Sequence, residues 1–461
     1  MFRKIQHIHL IGIGGSGMCG IAEVLLNLGY KVTGSDLQYT DTIKRIEGLG
    51  GRIFVGHNQS NIEGAQVVVV SSAVHPENPE VVAARERFIP VIKRAEMLAE
   101  LMRLKFGIAI AGAHGKTTTT SIIATLLAHA GLDPTVVIGG KLNSMGSNAK
   151  LGKSEFLVAE ADESDGSFLL LSPTITVVTT IDREHLDHYG DMDNLKKAFV
   201  DFINKIPFYG LSVLCLDEEK IQSLIPSIQK RYITYGITVQ SDLMARDIKL
   251  KEWGSNFSVS FKGEDLGRFH ITVPGIHNVY NSLAAIGVGL ELDLKPEDIR
   301  GGLSEFSGVE RRFQLRGEKN GIMIIDDYGH HPTEIKATLK AAKSGWDRRL
   351  IAIFQPHRYT RTRDLLKEFA TSFYDADILI ITEIYPAGEP PIEGISGLKL
   401  FELIRGYGHK KIIYIPQKGE IAEKVAPILR KGDMVITLGA GDIWKTGPEI
   451  LAKIPDGKRH D

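Results

Sequence analysis

The stretch Gly112-Ala113-His114-Gly115-Lys116-Thr117-Thr118 decides how the rest of the chain is read. It follows the apolar run Gly107-Ile108-Ala109-Ile110-Ala111 and leads into the helix-like Thr119-Thr120-Ser121-Ile122-Ile123-Ala124-Thr125-Leu126-Leu127-Ala128. Strand, glycine turn, Lys-Thr and helix are the parts of a phosphate-binding loop. Backbone N–H groups and the helix N-terminus hold an anion, the lysine reaches the outer phosphates, and the next hydroxyl can hold Mg²⁺. The full pattern has a glycine where this chain has Ile110, so the loop is a shortened variant. The plainer alternative is a glycine turn with a solvated lysine; the strand-turn-helix context favours a nucleoside triphosphate.

Upstream, Ile8-His9-Leu10-Ile11-Gly12 reads as a buried strand entering Gly12-Ile13-Gly14-Gly15-Ser16-Gly17, followed by a helix over residues 18–28. A second strand, 31–35, ends at Asp36. Glycines at this spacing with an acidic residue at the next strand end form the dinucleotide fingerprint. The backbone comes close enough to a diphosphate for its N–H groups to bind it, and Asp36 is placed for a sugar hydroxyl or a base. Which diphosphate is left open: NAD(P), another nucleotide diphosphate, or a purely structural turn. Val67-Val68-Val69-Val70 ends at Ser71-Ser72, and residues 91–103 read as a helix. Buried strands separated by helices imply a parallel, doubly wound sheet with ligands at the carboxyl edge, where Gly14, Asp36 and Ser71 fall. A boundary is expected near residues 103–106, where the second series starts.

In that series Phe156-Leu157-Val158-Ala159 runs into Glu160-Ala161-Asp162-Glu163-Ser164-Asp165. So many adjacent carboxylates repel unless cations or water screen them. A solvated acidic loop is one reading; a strand-end Mg²⁺ partner, which favours Glu160, is the other. Residues 174–181 read as a strand delivering Asp182-Arg183-Glu184-His185-Leu186-Asp187, where His185 can complete a divalent-metal site. Trp253, Phe257 and Phe261, within the strand-like 211–275, read as packing residues. His277, Asn278 and Asn281 suit a base edge, with Asn278 as an N-cap the alternative. Glu310-Arg311-Arg312-Phe313-Gln314 carries an arginine pair that can reach phosphates or form a basic surface turn.

A third series starts near Gly317. Ile322-Met323-Ile324-Ile325 leads into Asp326-Asp327-Tyr328-Gly329-His330-His331-Pro332-Thr333, and Leu350-Ile351-Ala352-Ile353-Phe354 into Gln355-Pro356-His357-Arg358-Tyr359-Thr360-Arg361. Strands at 378–381 and 435–438 follow, the latter ending at Gly439-Ala440-Gly441-Asp442. Polar residues again gather at strand exits.

With 461 residues the chain suits about three domains. Hydrophobic content of 43% and charged content of 24% are those of a soluble globular protein. A net charge of −1 gives no electrostatic reason for a nucleic-acid or membrane partner. No apolar run approaches ~18 residues, so membrane insertion is not expected. The start, Met1-Phe2-Arg3-Lys4-Ile5-Gln6-His7, lacks a signal-peptide core, and Cys19 and Cys215 have no metal-ligand spacing, which fits a reducing cytoplasm.

Taken together, the two glycine stretches, the run from Glu160 to Asp165, the run from Asp326 to Pro332 and the run from Gln355 to Arg361 resemble the Mur ligases, in order and over essentially the whole chain. The resemblance implies three consecutive α/β domains, each a mostly parallel sheet with helices. These are a Rossmann-like UDP-sugar domain at 1–104, a P-loop-type ATP domain at 105–316, and a Rossmann-like C-terminal domain at 317–461 adding nucleotide and amino-acid contacts. It implies ATP-dependent amide synthesis through an acyl phosphate, with UDP-N-acetylmuramate, ATP and L-alanine as substrates and Mg²⁺ or Mn²⁺ as cofactor. The first turn then holds a UDP-sugar rather than NAD, through Gly12, Gly14, Gly15, Ser16, Gly17, Asp36, Ser71 and Ser72.

By the same resemblance, ATP meets Gly112, Ala113, His114, Gly115, Lys116, Thr117 and Thr118. His277, Asn278 and Asn281 face adenine, Arg312 the phosphates and Asp327 the ribose. Lys116, His185, Arg312 and His330 serve catalysis; Thr117, Glu160 and His185 hold metal; His357, Arg358 and Arg361 take the amino acid. Three positions depart from the usual pattern. Ala113 stands where relatives have Thr, Thr180 where Asn is common, and Phe199 in the region where several sister ligases carry a carboxylated lysine. The last departure agrees with a member that adds L-alanine. A monomer or weak dimer is expected. The competing readings are an NAD(P)-dependent oxidoreductase, a nucleotide-dependent switch, and a recycling ligase that attaches an intact peptide.

Overall fold

The computed structural model describes residues 4–71, 73–142 and 147–455, whose strands form three sheets. The first contains β1 (His7–Ile11), β2 (Lys31–Asp36), β3 (Arg52–Val55), β4 (Val67–Val70) and β5 (Val91–Lys93) in the order β3-β2-β1-β4-β5, with every pairing parallel. Strand β1 sits at the centre and every residue of it is buried, so its apolar run is continuous rather than alternating. The helix expected over 91–103 is corrected at its start: Val91–Lys93 is a strand and the helix is Arg94–Met102. Pro90 disfavours helix before it, Val91 pairs with Val68, and the Glu96 carboxylate accepts the Lys93 N–H at 3.1 Å, fixing the helix start there.

The second sheet follows with β6 (Phe106–Ala111), β7 (Thr135–Leu142), β8 (Ser147–Lys150), β9 (Phe156–Glu160), β10 (Ile175–Val178), β11 (Leu211–Cys215), β12 (Tyr232–Gly236), β13 (Leu243–Lys251), β14 (Gly254–Phe261) and β15 (Glu264–Ile271). Its order is β15-β14-β13-β12-β11-β10-β6-β9-β7-β8. Strand β6 therefore lies between β9 and β10, parallel to both. Three strand ends, and the loops that leave them, are thereby brought side by side. Helix Lys116–His129 leaves β6 and packs against helix Pro296–Glu305 at Gly301 and Gly302; a Cβ on Gly302 would stand 2.6 Å from Leu126 Cα. Strand β10 is shorter than the expected 174–181, because Thr179 and Thr180 leave the ladder to bind the glycine turn.

The third sheet holds β16 (Gln314–Lys319), β17 (Ile322–Asp327), β18 (Arg349–Phe354), β19 (Ile378–Ile381), β20 (Ile412–Tyr414) and β21 (Asp433–Leu438), in the order β16-β17-β21-β18-β19-β20. Only β16 is antiparallel, with a bulge between Leu315 and Gly317. Isoleucine-rich strands place one apolar layer on each face of this sheet. By contacts the chain divides into two compact units. One is Met1–Asp247, Phe257–His270 and Val279–Val309; the other is Ile248–Asn256, Ile271–Asn278 and Glu310–Asp461. Trp253 packs edge-on against Trp346 at 5.1 Å, and Phe257 stacks on Phe269, as packing residues should. Cys19 and Cys215 are buried thiols, not joined in a disulfide. Among the described residues no helix is long and apolar enough to cross a membrane.

Candidate active site

The turn after β6 is held open by backbone geometry and by the end of β10. Gly112 and Gly115 have φ of 128° and 83°, values that favour glycine. The Ala113 N–H donates to Thr180 O at 2.9 Å, the His114 N–H to Thr180 Oγ1 at 2.9 Å, and Thr179 Oγ1 to His114 O at 2.6 Å. Ala113 thus contributes its backbone, so the missing hydroxyl there breaks none of these bonds. At position 180 the threonine hydroxyl supports the loop. Lys116 opens the helix, and Thr117 and Thr118 lie in its first turn.

Lys116 Nζ donates to Gly112 O at 2.5 Å and to both Glu163 oxygens at 2.8 and 2.9 Å. Burial works against its charge, but the Glu163 carboxylate outweighs it and holds the ammonium above its ordinary range. Position at the strand end favours Glu160, yet the carboxylate that meets the lysine is Glu163, only 2% exposed. Glu160 Oε1 instead accepts the Gly139 N–H at 2.9 Å. The loop turns Glu163 inward: the Ser164 N–H caps Asp162, and the Phe168 N–H bonds the Asp162 carbonyl. A run of acids shows that some carboxylate is near; which one faces inward depends on these turns.

His185, with φ of 59°, precedes the short helix Leu186–Tyr189. One ligand atom each from Glu163, Glu184 and His185 lies within 4.8 Å of the others. Glu184 was not among the expected metal residues. His114 Nε2 sits 3.1 Å from Asp182 Oδ2, and Lys220 pairs with the other oxygen at 3.3 Å. Asn281, expected at a base edge, accepts from Thr119 Oγ1 at 3.1 Å and faces Gly115, where a Cβ would come within 2.7 Å of its Oδ1. It backs the phosphate loop.

The first glycine turn is closed by β2. Gly12 and Ile13 donate to Ser35 O at 2.8 and 3.2 Å, Gly14 to Asp36 Oδ2 at 2.9 Å, and Gly15 to Gly12 O at 3.1 Å. Asp36 therefore shapes the turn as well as standing at its mouth. These bonds leave the head of helix Ser16–Asn27, where Gly17 lies, as the end able to meet an anion. Ser71 Oγ lies 3.0 Å from where a Gly12 Cβ would be. Ser72 lies outside the described residues.

In the second unit, Arg311 and Phe313 have φ of 60° and 45°. Arg311 donates to Asp326 at 3.0 Å and to the Gly439 and Gly441 carbonyls at 2.6 and 3.1 Å. Beside it, Arg312 pairs with Glu334 at 3.2 Å. Both guanidinium groups lie over the Tyr328 ring, at 5.0 and 5.2 Å. Asp327 accepts the Phe313 and Gly329 N–H groups at 2.8 and 2.7 Å, so this carboxylate also fixes the turn. Burial raises its pKa against the pull of Arg312.

His277 is pushed down to about 4 by burial and then by Arg312. Asn278 lies inside helix Ile276–Glu291 and donates to Pro274 O at 2.7 Å, which is not the N-cap geometry of the alternative reading. His330 and His357 stand 6.0 Å apart between ring centroids, His357 stacks on Tyr385 at 5.5 Å, and Arg361 Nη1 lies 3.4 Å from His357 Nδ1. Arg358, with φ of 70°, is held by its N–H to Tyr385 O at 2.9 Å. The structure thus gathers His330, His357, Arg358 and Arg361 at the carboxyl edge of the third sheet.

Family models match in the same order as these three series. The model described as Mur ligase family, catalytic domain, matches residues 7–106; Mur ligase middle domain matches 110–289; and Mur ligase, glutamate ligase domain matches 311–441. The UDP-N-acetylmuramate–L-alanine ligase of Geotalea daltonii is 59% identical over 98% of this chain and 99% of its own. That of Geobacter sulfurreducens is 57% identical over 100% of both. Among solved structures, the UDP-N-acetylmuramate-alanine ligase of Thermotoga maritima aligns with a TM-score of 0.83 at 28% identity, over 97% of this chain and 98% of that one. A murein peptide ligase of Psychrobacter arcticus aligns at 0.71 and 25% over the same shares. Two glycine turns on successive sheets, a histidine–carboxylate cluster beside the second, and relatives matched from end to end have one common explanation: the chain belongs to the Mur ligase family.

Proposed function

We propose that this chain is an ATP-dependent ligase that joins L-alanine to the carboxylate of UDP-N-acetylmuramate, a step of peptidoglycan precursor synthesis. The observation that carries this reading is the end-to-end match, at 57% identity, to a ligase of that name. A recycling ligase has its counterpart in the murein peptide ligase fold, at only 25% identity. An NAD(P) oxidoreductase leaves the second glycine turn without a role.

A carboxylate is a poor electrophile. One of its oxygens attacks the γ-phosphorus, the bond to ADP breaks, and an acyl phosphate forms. The alanine amine then attacks the carbonyl carbon, the tetrahedral intermediate collapses with loss of inorganic phosphate, and the amine proton leaves to solvent. Lys116 leaves Glu163 to meet the transferring phosphoryl group, where a fixed cation stabilises developing charge. Thr117, Glu160 and His185 are proposed to hold Mg²⁺; the donors that converge within 4.8 Å are those of Glu163, Glu184 and His185, an oxygen and imidazole set that fits a divalent cation. When bound, such an ion neutralises charge gathered between the two anions.

Gly12, Gly14, Gly15, Ser16, Gly17, Asp36, Ser71 and Ser72 are assigned to the UDP-sugar. Gly112, Ala113, His114, Gly115 and Thr118 are assigned to the ATP phosphates, with Asn281 behind them. His277 and Asn278 are assigned to adenine, Arg312 to phosphate and Asp327 to the ribose side. His330, His357, Arg358 and Arg361 form the amino-acid side, where an arginine fork suits an α-carboxylate. We place the protein in the cytoplasm, as a monomer or weak dimer.

The test is phosphate release with ATP, UDP-N-acetylmuramate and a panel of amino acids. Release that requires both the UDP-sugar and L-alanine is expected. Release indifferent to both, or a protein that binds NADH and not UDP-N-acetylmuramate, would overturn the reading.

A further inference from the structure

Arg94 is absent from every assignment above. It is the first residue of helix Arg94–Met102, a position where the helix macrodipole disfavours a cation. Its guanidinium lies across Gly17: a Cβ there would stand 2.9 Å from Arg94 Nη1 and 3.1 Å from Cδ. A side chain at position 17 would push this guanidinium aside. Gly17 belongs to the first turn of helix Ser16–Asn27, the end of the first glycine turn able to meet an anion. On its other side, Arg94 Nη2 stands 3.5 Å from Asp162 Oδ2, in the acidic loop after β9. The two side chains are 26% and 44% exposed, so their ion pair is screened and holds Arg94 only weakly.

We propose that Arg94 is a binding residue for the diphosphate of the UDP-sugar, and that Asp162 holds it until that diphosphate takes its place. The inference rests on the UDP-sugar reading of the first turn. A guanidinium offers phosphate oxygens a planar fork of donors that a lysine ammonium cannot reproduce. Exchanging a weak, half-exposed carboxylate for a diphosphate charged at two phosphoryl groups favours the ligand. Asp162 is also drawn electrostatically to Lys116, so it loses one of its two cations when the UDP-sugar binds. The two anion loops are then linked through one carboxylate.

Calorimetric titration of the full chain with UDP-N-acetylmuramate and with UDP, both without ATP, tests this. Arg94→Ala is expected to weaken both ligands about tenfold or more, with Arg94→Lys in between. Asp162→Asn is expected to bind the UDP-sugar more tightly than the parent, because its competitor is gone. If Arg94 were only a staple between two loops, that variant would bind equally or less well. Equal affinity in parent and Arg94→Ala, or equal or weaker binding by Asp162→Asn, overturns the proposal. Loss confined to the UDP-sugar, with UDP unaffected, moves the contact off the diphosphate and overturns it too. A parent that binds neither ligand defeats the reading of the turn itself. Should Arg94→Ala fail to fold, the direction of the Asp162→Asn change decides.

Discussion

At the scale of single residues, the ammonium of Lys116 already has partners before any nucleotide arrives. Its side chain is 18% exposed and that of Glu163 3%, so each neutralises a charge that burial would otherwise penalise. Removing one member of such a buried pair costs about 3–5 kcal/mol, because the other is left uncompensated. Lys116→Ala is therefore expected to lower the denaturation midpoint as well as turnover, the latter by about 10²–10³. UDP-N-acetylmuramate affinity should survive in the folded fraction; its collapse would mean that the two glycine turns do not hold separate ligands. His357 gives a prediction of the opposite sign of charge. Burial first, then His330, Arg361, Arg358 and Arg311, push it from 6.5 down to about 3. A folded-state value below the unfolded one means that the unfolded chain binds the extra proton first. Stability from this ring is full above pH 6.5 and falls as the pH drops toward 3. An NMR titration should show the ring neutral throughout the physiological range, and inflection near 6.5 would refute the placement.

At the scale of elements, strands β6, β9 and β18 could be read directly, because strands buried on both faces are continuous apolar runs. The helix after the phosphate loop was legible for a similar reason, with Gly115 marking its start. Strands β3, β5 and β20 were not, since each is short and none has a buried residue to mark an apolar run. The site divides along the same line. The loops that carry Lys116, His185 and Arg358 are recognisable because glycine, lysine, histidine and arginine stand at strand exits. Side-chain direction within a loop or at a helix start is not written in spacing, so Glu163, Glu184 and Arg94 had no distinguishing signal. The turn around Arg311 makes the point again. An arginine pair was visible, but only the fold shows that Arg311 faces Asp326 and the Gly439 carbonyl while Arg312 faces Glu334. Asp326 is fully buried, and two left-handed residues flank Arg312, so the turn is held by its surroundings. Arg311→Ala is predicted to destabilise the chain by about 1.5–3 kcal/mol in urea denaturation, because Arg316 stays on Asp326 at 3.2 Å while the Gly439 and Gly441 carbonyls lose their donor. In the folded variant the KM for ATP should rise while the KM for UDP-N-acetylmuramate stays put. If both constants moved together, Arg311 would not be acting through Arg312.

At the scale of the whole molecule, the two compact units carry different shares of the assigned residues. Every residue given to the UDP-sugar falls in the first unit, as do Lys116, Glu160, His185 and Asn281. His277, Asn278, Arg312 and Asp327 belong to the second. Ligand linkage turns this division into a measurement. A ligand stabilises what it binds by RT ln(1 + [L]/Kd), about 2.7 kcal/mol at a hundredfold excess over Kd. Each unit has its own apolar layers, so calorimetry is expected to resolve two unfolding transitions. UDP-N-acetylmuramate should then raise one transition and leave the other where it was. An adenine nucleotide should also raise the transition of the first unit, through the second glycine turn. The Arg94→Ala variant should lose the UDP-sugar shift and keep the adenine-nucleotide shift. Equal displacement of both transitions by the UDP-sugar would require contacts in the second unit, and the assignment of that substrate to the first glycine turn alone would have to be abandoned.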